Sequence, residues 1–459
     1  MTRFYAFLFV IAQIIVSCSQ TKKVQDQPNI IFFLADDMRW DALGSAGNSI
    51  VKTPNLDQLA SQGIRFKNAF VTTSICCTSR ASILTGQYAS RTGIWDFNTP
   101  LSDSAFAETY PMLLKDNGYQ VGFIGKYGIG QNTDNVSGKF DYFWGTSTQP
   151  KYENVDENGA YIHYTDLVGN HVDEFFEDVD DKPFCLSVSF KAPHVEDGDL
   201  RQFIYNPRFE NLYQEIVIPE EPTNTLAEWE KFPEFFKENN EARRRWKLRF
   251  SNEEQYQQSV KGYYRLVSGL DEVVGKTQAI LRERGLSENT IIVFTSDNGF
   301  YLGEHGLAGK WYPHEPSIRI PMIIYDPRNK EVIGTQIEEM ALNIDIAPTI
   351  LSMAGIKKPV SMQGDDLTQL IGSENDKPWR NSFYYEHMIF QFPTIPPSQA
   401  IRTSKYKYIV YPETNPAYEE LYDLTVDNAE MDNLAVDPKH ADLLEKLRSE
   451  LDLLKSSVQ

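Results

Sequence analysis

Four apolar runs constrain the fold of this chain more than any other feature of its sequence. They span residues 29–34, 120–124, 184–190 and 290–295. Runs of this length and character are typical of strands buried on both faces of a parallel sheet. Helical spacing between the runs, as at 255–284, then predicts an α/β fold in which helices cover the sheet.

Polar residues follow two of these runs directly. Asp36 and Asp37 follow the first run, and Asp297 and Asn298 follow the last. Ligands of open α/β sheets gather at the carboxyl ends of strands, so these side chains are candidate metal ligands. A set of oxygen donors without His or thiolate favours Ca²⁺ or Mg²⁺ over zinc. The alternative is that the acids belong to a solvated turn.

Residues 74–87 contain the adjacent cysteines Cys76 and Cys77, followed by Arg80 and a helical pattern. A helix that begins just after Cys76 would direct unpaired backbone N–H groups and the positive end of its dipole at that residue. With Arg80 one turn further on, the arrangement suits a nucleophile that acts on a tetrahedral oxyanion. The alternative is a buried helix start built from small residues.

The order Cys-x-x-Ser-Arg, followed by Leu-Thr-Gly at 84–86, resembles the signature of the type I sulfatases, a family of the alkaline phosphatase superfamily. The resemblance implies that Cys76 is oxidised to formylglycine by a formylglycine-generating enzyme, while Cys77 occupies a variable position. Thr78 stands where the family usually has proline.

Further segments match the family in the same order along the chain. Residues 125–130 read Gly-Lys-Tyr-Gly-Ile-Gly, Pro193 precedes His194, and residues 303–310 end in a lysine. The resemblance implies that the catalytic residues are Cys76, Arg80, Lys126, His194 and Lys310. It also implies a calcium ion, with Mg²⁺ as the alternative, held by Asp36, Asp37, Cys76, Asp297 and Asn298. We expect His305 and Arg319 to bind the substrate.

Gly128 is the main departure from the family, which has a histidine at this position that is thought to help expel sulfate. We expect another base to replace it. The candidates by residue type are His163, His305 and His314, and the sequence does not choose among them.

The resemblance implies hydrolysis of sulfate esters, on a sulfated polysaccharide or its oligosaccharides. Hydrated formylglycine at position 76 would attack sulfur, His194 or Lys310 would protonate the departing sugar oxygen, and re-formation of the aldehyde would expel sulfate. The cation, Arg80, Lys126 and Lys310 would neutralise the sulfate oxygens. Two alternatives stay open: a phosphate or phosphonate monoester hydrolase of the same superfamily, and a non-catalytic lipoprotein that binds sulfated glycans.

Residues 1–17 carry one charge, Arg3, and an apolar run that is short for a membrane span, which predicts a signal peptide. The order Ile-Val-Ser-Cys at 15–18 resembles a bacterial lipobox. We therefore expect a lipid anchor at Cys18, a tether over 18–27, and a location in the periplasm or on the cell surface; a plain cleaved signal is the alternative. A formal net charge of −20 disfavours nucleic acid as a partner.

The remaining segments complete the predicted architecture. Residues 195–250 lack clear periodicity, which predicts an insertion over the site, and the three arginines at 243–245 favour a solvated face paired with nearby glutamates. Short apolar segments and a closing helix at 439–454 predict a small antiparallel α+β subdomain. We expect a catalytic domain over 28–370, with an alkaline phosphatase-like, mixed, largely parallel sheet between helices, and a C-terminal subdomain over 371–459.

Overall fold

A computed structural model describes residues 27–372, 378–388 and 394–459. The predicted signal peptide, the lipid anchor at Cys18 and all but the last residue of the tether lie outside these ranges. Among the described residues, none of the helices has both the length and the apolar character that crossing a lipid bilayer requires.

The strands alternate with helices along most of the chain. They are β1 (Asn29–Asp36), β2 (Ile64–Phe70), β3 (Gln120–Lys126), β4 (Tyr142–Thr146), β5 (Glu153–Val155), β6 (Tyr161–His163), β7 (Phe184–Pro193), β8 (Thr290–Ser296), β9 (Tyr301–Leu302), β10 (Ala308–Gly309), β11 (Arg319–Ile320), β12 (Met322–Tyr325), β13 (Thr335–Leu342), β14 (Ser382–His387), β15 (Ser398–Thr403), β16 (Tyr406–Tyr411) and β17 (Tyr418–Asp423).

The α-helices range from single turns to one long rod. They are α1 (Pro54–Gln62), α2 (Cys76–Thr85), α3 (Ala89–Thr92), α4 (Asp103–Ala107), α5 (Tyr110–Asp116), α6 (Asp134–Ser137), α7 (Tyr164–Glu177), α8 (Leu226–Glu230), α9 (Glu234–Lys237), α10 (Glu241–Arg249), α11 (Glu253–Glu283), α12 (Glu315–Ile318), α13 (Ile346–Met353) and α14 (Ala441–Val458).

The central sheet has nine strands in the order β11-β2-β12-β8-β1-β7-β3-β4, with β13 paired to β2. The pairs from β4 across to β8 are parallel, whereas β12 is antiparallel to both of its neighbours. This confirms the expected mixed, largely parallel sheet. The four apolar runs of the sequence form β1, β3, β7 and β8, which are adjacent in the sheet.

Strand β1 lies at the middle of this sheet, and all of its residues are buried. Ile30, Phe32 and Leu34 pack into the core on one face, and Ile31 and Phe33 pack into the core on the other. Because successive side chains of a strand point to opposite faces, a continuous apolar run is what two helix-covered faces require. Long helix α11 covers one face beside α7, and α2, α5 and α13 pack together.

The parallel strands end at one edge of the sheet. Asp36 at the end of β1 pairs in register with Pro193 on β7, and Ala35 pairs with Ser296 on β8. The residues that follow these strands therefore meet at the same edge, where Lys126 also ends β3. This edge gathers the polar residues that the sequence places after the apolar runs.

The C-terminal part forms the expected smaller unit. Strands β14 to β17 make a four-stranded antiparallel sheet, and α14 packs against it. Strand β14 joins this unit to the main domain, because the Glu386 backbone N–H donates to Thr72 and the Tyr385 hydroxyl donates to the Trp311 carbonyl.

Candidate active site

The strand ends and the first turn of α2 bring charged and polar side chains into one buried cluster. We call this cluster the floor, and it consists of Asp36, Asp37, Cys76, Arg80, Lys126, His194, Asp297, Asn298 and Lys310, all of which are buried. These are the predicted catalytic and metal-binding residues, and the structure brings them together.

Ion pairs connect the carboxylates of the floor to its cations. Lys126 Nζ lies 2.5 Å from Asp36 Oδ2, and Arg80 Nε donates to Asp297 Oδ2 over 2.9 Å. Lys310 Nζ donates to Asp37. A second anchor on Arg80 was not predicted: its Nη1 donates to the Lys126 carbonyl and to the hydroxyl of Ser189 on β7.

The carboxylates of the floor do not share one protonation behaviour. Burial alone would raise the pKa of Asp36, but Lys126, His194, Arg80 and Lys310 outweigh it and hold that pKa well below its ordinary value. Burial, together with the neighbouring Asp36 charge, raises the pKa of Asp297 to about 6. Burial and the Asp36 charge therefore disfavour the ionised form of Asp297, whereas Asp36 stays ionised.

The donor atoms of the floor fit a hard divalent cation. The Oδ1 atom of Asn298 is buried without a hydrogen-bond partner, although its Nδ2 donates to Asp37 Oδ1. Potential ligand atoms of Asp36, Asp37, Cys76 and His194 lie within 4.8 Å of one another. Carboxylate and amide oxygens are the ligands that Ca²⁺ and Mg²⁺ prefer, and a cation here would also meet the unpaired amide oxygen.

Cys76 is the first residue of α2, so the helix begins one residue earlier than the sequence predicted. Its Sγ lies 2.8 Å from Lys310 Nζ and 3.3 Å from Asp36 Oδ1. Burial and the Asp36 charge raise the pKa of the Cys76 thiol well above its ordinary value, so the unmodified side chain stays a neutral thiol. Neighbouring Cys77 packs instead into the apolar core, with its Sγ 3.7 Å from the Thr78 hydroxyl.

His194 follows the end of β7 and faces the same cluster. Its Nδ1 lies 2.7 Å from the Val195 carbonyl, so Nδ1 carries a proton. Its Nε2 lies 3.1 Å from Gln149 Nε2 and 3.5 Å from Asp37 Oδ2. Burial lowers the pKa of His194 despite the nearby Asp37 and Asp36 carboxylates.

A cavity of about 470 Å³ opens above the floor. Cys76, Lys126, His194 and Lys310 line its inner end. Six further lining residues, which we call the rim, are Asn98, Gln131, Gln149, Asp197, Arg245 and Trp311. No motif in the sequence pointed to rim residues other than Arg245, which belongs to the run of three arginines.

The three arginines at 243–245 have three different environments. Arg244 pairs with Glu241 at the surface, which agrees with the expected solvated face. Arg243 lies over the rings of Trp229 and Trp246, so the expectation is wrong for this residue. For Arg245 the expected pairing with a glutamate holds, because its Nε lies 2.8 Å from Glu241, but the side chain lines the cavity instead of a solvated face. Helix α10 separates the three because neighbouring residues of a helix point in different directions.

His305 and Arg319, the predicted substrate-binding residues, line a different cavity. This second cavity has a volume of about 460 Å³, and Arg39, Glu221, Glu304 and Arg402 also line it. Arg319 stacks over Trp40 with its guanidinium carbon 3.9 Å from the ring centre. Neither residue lines the cavity that contains Cys76.

The three histidines expected as substitutes for the histidine missing at Gly128 lie away from the Cys76 cavity. His163 lies 2.9 Å from the Ile204 carbonyl, and His314 lies between Tyr301 and Glu420. With His305 at the second cavity, none of the three candidates lines the Cys76 cavity. Gly128 itself has φ +73°, and an added Cβ would lie 3.0 Å from the Arg80 side chain.

Two family models match most of this chain. A family model described as Sulfatase matches residues 28–356, and one described as N-sulphoglucosamine sulphohydrolase, C-terminal, matches residues 303–457. An N-acetylglucosamine-6-O-sulfatase from Bacteroides thetaiotaomicron is 28% identical, over 92% of this chain and 85% of the relative.

Two solved structures extend the comparison to the fold. One, bound to its substrate D-glucosamine-2-N,6-O-disulfate, has a TM-score of 0.81 at 26% identity and covers 94% of this chain and 98% of its own. A phosphonate monoester hydrolase from Silicibacter pomeroyi has a TM-score of 0.79 at 21% identity, covering 94% of this chain and 96% of its own. At that identity the second likeness concerns the fold alone.

Proposed function

The chain belongs to the sulfatase family and is a sulfuric ester hydrolase, and from that premise we propose that it desulfates sulfated carbohydrates with a formylglycine formed from Cys76 and a bound divalent cation. The observation that carries this proposal is the position of Cys76. Its Sγ lies at the inner end of a cavity that Lys126, His194 and Lys310 also line.

Positive charge beside the nucleophile is what a sulfate ester requires. The ester carries negative charge on its sulfate oxygens, and preorganised cations stabilise that charge as the sulfur is attacked. Lys126 and Lys310 are fixed by buried carboxylates, so neither ammonium has to reorganise when the substrate arrives. Arg80 holds Asp297 and the Lys126 carbonyl in place behind them.

Formylglycine accounts for the chemistry that a thiol at position 76 lacks. Hydrated, this residue supplies an oxygen nucleophile, whereas the buried Cys76 side chain is a neutral thiol because its pKa is raised. Formation of the aldehyde requires a formylglycine-generating enzyme as a partner during maturation. Cys77 is not a competing site in this proposal, because it packs into the apolar core.

Asp36, Asp37, Asp297 and Asn298 would hold the cation, with the residue at position 76 beside it. Calcium is the proposed ion and magnesium the alternative, because all four side chains offer oxygen. When bound, the cation supplies positive charge beside the sulfate oxygens and the nucleophile. Positive charge there would favour the ionised form of Asp297, whose pKa is raised by burial and by the neighbouring Asp36 charge.

Two residues can give a proton to the departing sugar oxygen. Burial alone would lower the pKa of Lys310, but the neighbouring anions, Asp37 first among them, raise it, so the ammonium stays charged. His194 would donate from Nε2 only as the imidazolium, because its Nδ1 proton is held by the Val195 carbonyl, and burial, which lowers its pKa, disfavours that form in the free site. Both residues line the cavity, so we assign proton donation to His194 or Lys310.

The substrate class follows from the relatives. One is named for N-acetylglucosamine-6-O-sulfate, and a solved relative holds a disulfated glucosamine. We therefore propose a sulfated polysaccharide or its oligosaccharides as substrate, reached after export and lipid anchoring at Cys18. The anion enters a cationic pocket on a chain of net charge −20, so recognition must be local.

The test is to express the chain together with a formylglycine-generating enzyme. Peptide mass spectrometry should find the aldehyde at Cys76 and a thiol at Cys77. Calcium-loaded protein should release sulfate from members of a panel of sulfated oligosaccharides faster than it releases phosphate from matched phosphate esters. Intact thiols at both positions in active protein would contradict the proposed nucleophile. Faster phosphate release would favour the alternative hydrolase, and intact thiols in inactive protein would favour glycan binding without turnover.

A further inference from the structure

The rim of the cavity carries one acidic and one basic side chain next to each other. Asp197 and Arg245 both line the cavity, and Arg245 Nη1 lies 3.6 Å from Asp197 Oδ1. Asp197 follows β7 by a few residues, whereas Arg245 lies on α10 of the insertion. Neither segment contributes a proposed metal ligand, because those ligands lie at or directly after the ends of β1 and β8.

The Arg245 guanidinium is already engaged on its inner side. Its Nε lies 2.8 Å from Glu241, one turn earlier on α10, and its guanidinium carbon lies 5.1 Å from the centre of the Trp311 ring. The side chain is 13% exposed, while that of Asp197 is 49% exposed. The carboxylate of Asp197 is thus the more open of the two charges at the rim.

This charge balance separates two classes of ligand. Arg245 shares Glu241 with Arg244 and lies 3.6 Å from Asp197, so two carboxylates neighbour its guanidinium. A second anion at the rim would meet the open carboxylate of Asp197, which repels it. A neutral sugar ring fits better, because adjacent hydroxyls can donate to the carboxylate and accept from the guanidinium.

Gln149 adds a second observation at the same rim. Its Nε2 faces His194, but its Oε1 atom is buried without a hydrogen-bond partner. A buried amide oxygen without a partner is costly, and a hydroxyl of the substrate would satisfy it. Asp197 and Gln149 therefore offer acceptors for hydroxyl donors, and Arg245 offers a donor.

We infer that Asp197 and Arg245 bind two hydroxyls of the sugar ring that carries the scissile sulfate, and that the rim disfavours rings with a second acidic group. This inference rests on the proposed function, since it assumes that the sulfate occupies the floor. It names the substrate more closely: a monosulfated hexose unit with free hydroxyls. Recognition of a second anion by Arg245 is the competing outcome of the test.

Binding measurements separate this inference from turnover. Calcium-loaded protein with Cys76→Ala would not consume its ligands, so calorimetry can compare inorganic sulfate with monosulfated hexoses. The probes are glucose, galactose and N-acetylglucosamine sulfated at one position, each beside its disulfated counterpart. We expect at least one monosulfated hexose to bind about tenfold or more tightly than inorganic sulfate, and more tightly than its disulfated counterpart.

Rim variants in the same background then test the two side chains. In Asp197→Asn and in Arg245→Gln, the affinity ratio of the best hexose sulfate to inorganic sulfate should fall by about 10- to 100-fold. Asp197→Asn should also narrow or reverse the preference over the disulfated sugar. Arg244→Gln is the matched control, because Arg244 pairs with Glu241 at the surface and does not line the cavity.

Three results would overturn the inference. They are a panel in which no hexose sulfate binds more tightly than inorganic sulfate, rim variants whose ratio equals that of Arg244→Gln, and a tenfold preference for disulfated sugars in the parent protein. Failure of the proposed function is a separate result, seen as no sulfate release by formylglycine-containing protein that still binds these ligands.

Discussion

The floor and the rim of the Cys76 cavity are built by different means. Side chains at strand ends and at the start of α2 form the floor, where each cation is fixed by a buried carboxylate. The rim comes from loops and from the insertion, and it includes the partly exposed Asp197. The comparison teaches that the reaction depends on the sheet edge, while the choice of sugar depends on segments laid over it.

The two regions also differ in how they respond to substitution. A change in the floor disturbs several buried charges at once, because Asp36 alone faces Lys126, Arg80, His194 and Lys310. A change at Asp197 of the rim removes contacts of a side chain that is 49% exposed. Floor variants should therefore act on every substrate, and rim variants should act on some substrates only.

Cys76→Ala should give the largest effect, because it removes the atom that becomes the nucleophile. We expect sulfate ester turnover to fall by roughly 10⁴-fold or more on every substrate tested. The matched control is Cys77→Ser, whose side chain lies in the core beside Thr78 and lines no part of the cavity. The measurement is the initial rate of sulfate release by each variant and by the parent protein. Equal losses in both variants would mean that the helix, rather than its first side chain, had been damaged.

Asp297→Asn should have the next largest effect. We expect turnover to fall by roughly 10²–10³-fold, because the cation and the charge that it supplies are lost. Without metal, the variant should be no less stable than the parent at neutral pH. The reason is that burial and the Asp36 charge raise the pKa of Asp297 to about 6, so its ionised form is unfavourable in the folded parent. Calcium should raise the melting temperature of the parent protein and not that of the variant.

A buried aspartate outside the floor provides the control for this variant. Asp271 is also buried, with its pKa raised to about 6 by burial, but it accepts from the Leu56 and Asn55 backbone N–H groups. Asp271→Asn should therefore keep the calcium-dependent increase in melting temperature. Loss of that increase in Asp271→Asn, or its survival in Asp297→Asn, would show that the assigned ligands are wrong.

The sequence predicted the floor well because each of its parts leaves a local signal. Strands buried on both faces are continuous apolar runs, and the acids stand directly after them, as in β1 and Asp36. Strands that are partly exposed leave weaker signals. Half of the residues of β13 are exposed, and neither this strand nor helix α7 was predicted.

The rim could not be predicted, because its residues meet only through tertiary packing. Asp197 and Arg245 are far apart in sequence, and no periodic pattern places α10 over β7. For His305, by contrast, position in the sequence predicted the wrong cavity. It lies close to Lys310 in sequence, but it adopts φ 57° in a tight turn and its ring stacks 5.0 Å from that of His314. Sequence proximity to a floor residue thus carried no information about the cavity that His305 lines.

The pH dependence of calcium binding sharpens the charge difference between floor and rim. The pKa of Asp297 is about 6 in the folded metal-free protein, because of burial and the Asp36 charge, against an unfolded value of 3.8. Between these values the native state binds more protons than the unfolded state. The stability of the metal-free protein should therefore fall as pH rises through this range, by at most about 3 kcal/mol from this group.

Calcium requires the ionised carboxylate, so its stabilising effect should grow over the same range. Thermal unfolding with calcium and with a chelator, at pH values from 4.5 to 8 in steps of about half a unit, would measure the difference in melting temperature. The difference should rise through pH 6 in the parent protein. In Asp297→Asn it should be small and independent of pH. A constant difference in the parent would separate Asp297 from the bound ion.

Gly128 lies beside Arg80 and Lys126 of the floor, and its substitution should have the smallest effect. If the missing histidine were a defect, Gly128→His would increase turnover. The geometry favours the opposite result, because Gly128 has φ +73° and an added Cβ would lie 3.0 Å from Arg80 Cδ and 3.3 Å from Lys126 Cε. Any side chain there costs about 1–2 kcal/mol of backbone strain and displaces two cations of the floor.

Gly128→Ala, which adds the Cβ without an imidazole, is the matched control. We expect both variants to lose stability by similar amounts and neither to gain turnover, as measured by thermal unfolding and by rates of sulfate release. A gain in turnover in Gly128→His that Gly128→Ala does not share would mean that the floor lacks a base and has room for one.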